Sequence, residues 1–183
     1  MIDQHSFYVG SFKGTAKSND EIEHNKALIA KFPWLWPSDW NWAKIPAEEY
    51  DYSWTTLDEI PEGWKKDFGE QMCEEIQSVL EKHGCVDEFH IEQAKEKYGS
   101  LRIYFAGLPK ECHDEVRNVI NKYEHISART CCECGKPAKF ITKGWICPYC
   151  ADCAASICQN RMQKDPNVKV EELFWNAEDY FKE

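Results

Sequence analysis

Cys131-Cys132-Glu133-Cys134-Gly135-Lys136-Pro137 and, a short loop later, Trp145-Ile146-Cys147-Pro148-Tyr149-Cys150-Ala151-Asp152-Cys153 decide how the C-terminal part of this 183-residue chain folds. Seven of its ten cysteines fall between Cys131 and Cys158. Two Cys-x-x-Cys hooks joined by a short loop suit a tetrahedral metal site, because each hook supplies two thiolates from one tight turn and the loop returns the second hook to the first. The first hook is Cys131 with Cys134, and Gly135 lets the backbone turn so that amides approach the sulfurs. For the second hook, Cys147/Cys150 and Cys150/Cys153 both have the required spacing. Cys150 with Cys153 is favoured, since fifteen residues then separate the hooks, within the usual range for four-cysteine zinc sites. Cys147 is the alternate ligand. Cys132 is expected to point away from the hook, and Cys158 to lie one turn into a following helix. The expected cofactor is a structural zinc ion.

Three other uses of these cysteines fit less well. The run Cys147-x2-Cys150-x2-Cys153-x4-Cys158 approaches an iron–sulfur spacing, but its last gap is one residue too long and no proline follows. A disulfide framework needs an oxidising compartment, and Met1-Ile2-Asp3-Gln4-His5 lacks the basic and apolar pattern of an export signal. A cysteine nucleophile needs a base, yet no histidine follows His125. No apolar run approaches the roughly 20 residues of a membrane span. The sequence therefore predicts a soluble, cytoplasmic protein.

Working back from the hooks, the chain reads as α+β: a helix, a β-hairpin and a second helix form a body, followed by a zinc-ribbon-like module and a final helix. From Trp64 to His83, Phe68, Met72, Ile76, Val79 and Leu80 recur at helical steps, while Asp67, Glu70, Glu74 and Glu81 fall on the opposite side. Gly84 is placed to end that helix. Phe89, Ile91 and Gln93, then Leu101, Ile103 and Phe105, alternate with polar neighbours around Lys97-Tyr98-Gly99, which predicts a hairpin packed between helices. The second helix spans Pro109 to Ala128, with Val116, Val119, Ile120, Tyr123 and Ile126 on its apolar side. Asp165-Pro166-Asn167 is a break, and Val170 to Phe181 is predicted to be the final helix.

Upstream, residues 1–31 show weak periodicity, with a short helix expected from Asn25 to Phe32 and stopped by Pro33. Six of the eight tryptophans lie between Trp34 and Trp64. Such rings either cover the core of the domain or form an exposed patch for docking or base stacking. The expected organisation is an N-terminal segment at 1–31, an aromatic-rich acidic body at 32–129, a metal ribbon at 130–164 and a C-terminal helix at 165–183.

Charge divides along the same lines. Residues 46–96 hold fifteen Asp and Glu against four Lys, enough to account for the chain's net charge of −10. Residues 130–164 hold five basic groups against two acidic ones. An acidic body repels phosphate and suits a partner with a basic channel. Asp67, Glu70, Glu74 and Glu81 are the candidate partner-binding residues. In the other reading the ribbon contacts nucleic acid, with Lys136, Lys139, Lys143 and Arg161 on phosphates and Trp145 stacked on a base. There is no glycine-rich phosphate loop, nucleophile elbow or His-Glu-x-x-His, so a binding protein is expected rather than an enzyme.

The phrases Leu57-Asp58-Glu59-Ile60-Pro61-Glu62-Gly63-Trp64, Phe68-Gly69-Glu70-Gln71-Met72-Cys73, Lys95-Glu96-Lys97-Tyr98-Gly99-Ser100-Leu101-Arg102 and Tyr123-Glu124-His125-Ile126-Ser127, with the cysteine tail, carry a resemblance over residues 33–155. The chain resembles short proteins of phages and mobile elements in gut bacteria, most of which have no assigned activity. Its size and acidity also resemble those of anti-CRISPR proteins acting on type II Cas9. The resemblance implies Cys150 and Cys153 as ligands, through Pro148-Tyr149-Cys150-x-x-Cys153. It implies as partner a bacterial defence nuclease, Cas9 with guide RNA, met in the bacterial host cell.

Overall fold

In a computed structural model, residues 18–38 and 43–180 are described. Trp40, Trp42, Phe181 and the first seventeen residues lie outside them. The mixed helix-and-sheet architecture expected from the sequence is present, with two small antiparallel sheets.

Helix α1 spans Asn19–Lys31 and starts well before Asn25. The cause is a capping box: the Glu21 amide donates to Ser18 Oγ at 3.3 Å, and the Ser18 amide to Glu21 Oε2 at 2.7 Å. The helix stops at Phe32, before Pro33. A 3-10 turn, Pro33–Leu35, then drives Phe32, Trp34 and Leu35 into the core. Trp34 Nε1 donates to Gln77 Oε1 at 2.8 Å, and its ring meets Phe89 edge-on at 5.2 Å. Tyr50 is buried between Trp36 and Tyr52, at ring separations of 4.7 and 4.6 Å. Trp64 is fully buried. The described members of the aromatic segment are thus core and its covering, pinned by ring contacts rather than by a ladder.

A helical turn, Glu62–Trp64, passes through a π turn, Lys65–Gly69, into α2, Glu70–His83. Met72, Cys73, Ile76 and Leu80 form its buried face. Gly84, at φ +66°, ends it as the Cys85 amide returns to the Leu80 carbonyl. Strands β1, His90–Lys97, and β2, Ser100–Ala106, pair antiparallel around Tyr98-Gly99. Both turn residues have positive φ, +54° and +78°, as a type I′ hairpin turn requires. The register shifts between Ile91 and Gln93. This corrects the strict alternation expected of β1: past the bulge, Ala94 rather than Gln93 is buried. Helix α3, Lys110–Ser127, covers the hairpin through Cys112, Val116, Ile120 and Tyr123. Ser127 Oγ accepts from the Leu101 amide at 2.8 Å.

The ribbon has strands β3, Phe140–Thr142, and β4, Pro148–Tyr149, followed by α4, Ala151–Lys164. The expected final helix is corrected. It is a turn at Val170–Leu173, a strand β5 at Phe174–Asn176, and a second turn at Ala177–Tyr180. Strand β5 pairs with β3, giving the order β4-β3-β5. A two-stranded ribbon this short is marginal alone, and a third strand carrying Phe174 and Trp175 gives it a sheet and a small core with Ala154 and Cys158. Cys158 lies in the second turn of α4, buried. Cys132 and Cys147 belong instead to the main core of the body. Among the described residues, no helix is long and apolar enough to cross a membrane.

Candidate metal centre

The first hook is shaped by a short antiparallel pairing. Thr130 bridges Pro137, and the Cys131 amide donates to the Lys136 carbonyl at 2.8 Å. The turn closes as Gly135, at φ +79°, donates its amide to the Cys131 carbonyl at 3.0 Å. Burial pushes the Cys131 thiol up, against hydrogen bonds from the Cys150, Cys134 and Glu133 amides. Those amides are the donors that steady a metal-bound thiolate.

The second hook is the start of a helix. Cys150 is the N-cap of α4, and its sulfur accepts from the Cys153 amide at 3.5 Å. Helix N-termini favour negative charge, so a thiolate is stabilised there. Burial works to raise the Cys150 pKa, but the Cys153 amide and the neighbouring thiols outweigh it and hold the group below its ordinary value.

The ligand atoms of Cys131, Cys134, Cys150 and Cys153 all lie within 4.8 Å of one another. Cys134 Sγ is 3.5 Å from Cys150 Sγ and 3.6 Å from Cys153 Sγ. Four thiolates bound at about 2.3 Å in a tetrahedron are separated by roughly 3.8 Å, so the set fits a metal ion. Four protein ligands would complete a tetrahedral coordination. Cys147 stands apart: its sulfur lies 3.0 Å from Cys132 Sγ, and its amide donates to Thr142 Oγ1 at 2.9 Å. The alternate ligand is thereby engaged with Cys132 on the body side of the ribbon.

The body carries the first hook on residues that spacing arguments missed. The Gly63 amide donates to the Cys132 carbonyl at 2.8 Å, and Trp64 Nε1 to the Thr130 carbonyl at 2.8 Å. A Cβ on Gly63 would lie 2.2 Å from the Cys131 carbonyl oxygen and 2.6 Å from the Gly135 nitrogen, so only glycine fits. The available signal was a glycine inside a helical pattern, in Pro61-Glu62-Gly63-Trp64.

The other candidate residues lie on the body and on the ribbon. Asp67 is next to the first hook, its Cβ 3.1 Å from where a Gly135 Cβ would stand. Glu70 and Glu74 face α1, paired with His24 and Lys31, and Glu81 accepts from Gln77. A cleft of about 400 Å³ separates α1 from the π turn, rimmed by Glu21, Glu62, Asp67 and Glu70. In the ribbon, Lys136 pairs with Asp152 at 2.8 Å, beside the metal ligands. Lys143 donates to the Glu171 carbonyl at 2.6 Å, and Trp145 is 80% exposed. Lys139 is exposed on the approach to β3, whereas Arg161 is exposed in the last turn of α4. No family model, curated protein or solved structure matches the chain.

Proposed function

We propose that this chain acts by binding rather than by catalysis, docking its acidic body on a basic, nucleic-acid-binding surface of another protein. The observation that carries this reading is the acidic face around α1, the π turn and α2, where Glu21, Glu62, Asp67 and Glu70 rim one cleft. Lys65 and Lys66 line the same cleft but are paired with acidic neighbours, Asp58 and Glu62. Oppositely charged surfaces steer encounter, so association is fast and weakens with salt. The metal is zinc in this proposal, and it fixes the ribbon on the edge of that face. A bacterial defence nuclease of the Cas9 type, charged with guide RNA, is the partner that the sequence resemblance suggests, and inhibition of that nuclease is the activity.

The test is target-DNA cleavage by guide-charged Cas9 titrated with the zinc-loaded protein. The wild-type protein is expected to inhibit. A variant carrying Glu70→Lys, Glu74→Lys and Glu81→Lys is expected to inhibit at least tenfold less while melting as one cooperative unit. Asp67 is left in place because Thr130 Oγ1 lies 3.4 Å from its carboxylate, beside the first hook. Full inhibition by the folded triple variant removes this face from the proposal, and absence of inhibition by the wild type removes Cas9 as the partner.

A further inference from the structure

The two most exposed large apolar side chains described, Trp145 at 80% and Tyr98 at 72%, stand at the tips of two hairpins that touch. Gly99 is where the tips meet: a Cβ there would lie 3.1 Å from Ile146 Cγ2. Tyr98 and Trp145 each sit one residue away from that contact. Both tips are fixed. Tyr98-Gly99 is a two-residue turn closed by Glu96, which accepts from the Gly99 amide at 2.6 Å. The Trp145 loop is held by Thr142 Oγ1, which donates to the Trp145 carbonyl at 2.6 Å.

The hairpin behind Tyr98 has an outer face unlike the rest of the body. Gln93 pairs with Tyr104, Lys95 with Arg102 and Lys97 with Ser100, and cross-strand partners share a face. That face therefore carries Lys95, Lys97 and Arg102 and the half-exposed ring of Tyr104, with the exposed Glu92 beside them at the bulge. Leu101, Ile103 and Phe105 point the other way, into the core. Lys95 Nζ lies 5.4 Å from the Tyr104 ring centre and Lys97 Nζ 5.7 Å from that of Tyr98. Glu124, from α3, approaches Arg102 at 3.5 Å from the side. In the adjoining ribbon, residues 134–151 hold three lysines and no acidic residue, with Lys136 paired to Asp152 just beyond them.

We infer that the outer face of β1–β2, together with the Trp145 tip, is a stacking platform for unpaired nucleic acid, with Tyr98, Tyr104 and Trp145 against bases and Lys95 and Lys97 near phosphates. Exposed rings interleaved with cations are what a sequence-tolerant single-strand site needs, because every base has a stacking face and every nucleotide a charge. The platform lies on a different surface from the acidic cleft and does not rest on that proposal.

The experiment is fluorescence anisotropy of a labelled oligothymidylate of about 12 nucleotides, within the usual site sizes, titrated with the full metal-loaded chain at low salt. Binding is expected to weaken as salt rises and to be tighter than that of a duplex of equal length. Trp145→Ala and Tyr98→Ala, both at exposed positions, are each expected to reduce affinity about tenfold. Lys95→Gln with Lys97→Gln should flatten the salt dependence by roughly 0.7 per lost phosphate contact. No binding at low salt, equal binding of duplex, or unchanged affinity in both ring variants overturns the inference. So does sedimentation showing a dimer that Trp145→Ala and Tyr98→Ala dissolve, which would give the face to a second copy of the chain.

Discussion

The two hooks supply equal numbers of sulfurs to one site, but they are built differently. Cys131 and Cys134 sit on a knuckle clamped by the body: Gly63 touches it, Trp64 donates into the backbone just before it, and Asp67 flanks it. Cys150 and Cys153 are held by their own helix start, and α4 packs on the small cluster of Ala154, Cys158 and Phe174 rather than on the main core. The first hook is therefore anchored on the body and the second on its own helix start. A bound metal would tie these two anchors together.

The largest effect follows from breaking the joint. Chelation, or Cys150→Ser with Cys153→Ser, is expected to abolish metal binding and to strip α4 and β5 of hydrogen-exchange protection, while α2 and α3 keep theirs. Apparent binding free energies of structural zinc are about 10–16 kcal/mol in small modules, so closure of the second hook depends on it. If α2 and α3 lose protection together with α4, the two halves are one cooperative unit and the contrast between the hooks is wrong.

Gly63→Ala comes next, because it attacks the anchor on the body. The new methyl group meets the Cys131 carbonyl and the Gly135 nitrogen, which are backbone atoms without freedom to swing aside. A cost of about 3 kcal/mol or more is expected, above the 1–3 kcal/mol usual for overpacking, together with weaker metal binding. Gly84→Ala is the control. That glycine has φ +66° and nothing within 4 Å of an added Cβ, so it should cost about 1 kcal/mol and leave metal affinity unchanged. Thermal melts and a competitive chelator titration on both variants separate strain from site damage.

Cys147→Ala sharpens the assignment of the second hook. Its sulfur touches Cys132 in the core and stands apart from the four converging sulfurs. The variant should bind one metal per chain with wild-type affinity and lose about 1–2 kcal/mol for the vacated volume. A loss of metal stoichiometry would return Cys147 to the ligand set.

The legible and illegible parts of this site divide by sequence distance. The first hook read directly as a local pattern, whereas spacing allowed two second hooks and the structure gathers Cys150 and Cys153 with the first. The support from Gly63 did not read locally, because the residues it touches lie some seventy positions along the chain. Strand β5 was hidden for a different reason. Leu173, Phe174, Ala177 and Tyr180 fall at helical steps, and only the unpaired edge of β3 decides that Phe174–Asn176 extends. The capping box at Ser18 and Glu21 was readable and marks the true start of α1. The β1 bulge, which turns Ala94 inward, is set by pairing with β2 and has no local signature.

The smallest effect lies within the body and tests whether its two helices are held by packing or by charge. Glu75 on α2 accepts from Lys122 Nζ at 2.6 Å and from the Tyr123 hydroxyl at 2.8 Å. Burial acts to raise the Glu75 pKa, but Lys122 and Tyr123 outweigh it and hold the carboxyl below its ordinary value. A depressed folded-state pKa contributes stability that is complete above the unfolded value of about 4.3 and is lost as pH falls through the lower folded value. Glu75→Gln keeps an acceptor for Tyr123 and removes only the charge. With Lys122 half-exposed, the variant should lose under about 1 kcal/mol at neutral pH, and the gap from wild type should close as pH falls below that unfolded value. A gap that persists unchanged into acid would assign the effect to hydrogen-bond geometry at Tyr123. In either case the tilted contact of Phe68 with Tyr123 and the α2–α3 core of Ile76, Val116 and Ile120 remain in place. The body that presents the first hook is therefore set by apolar packing.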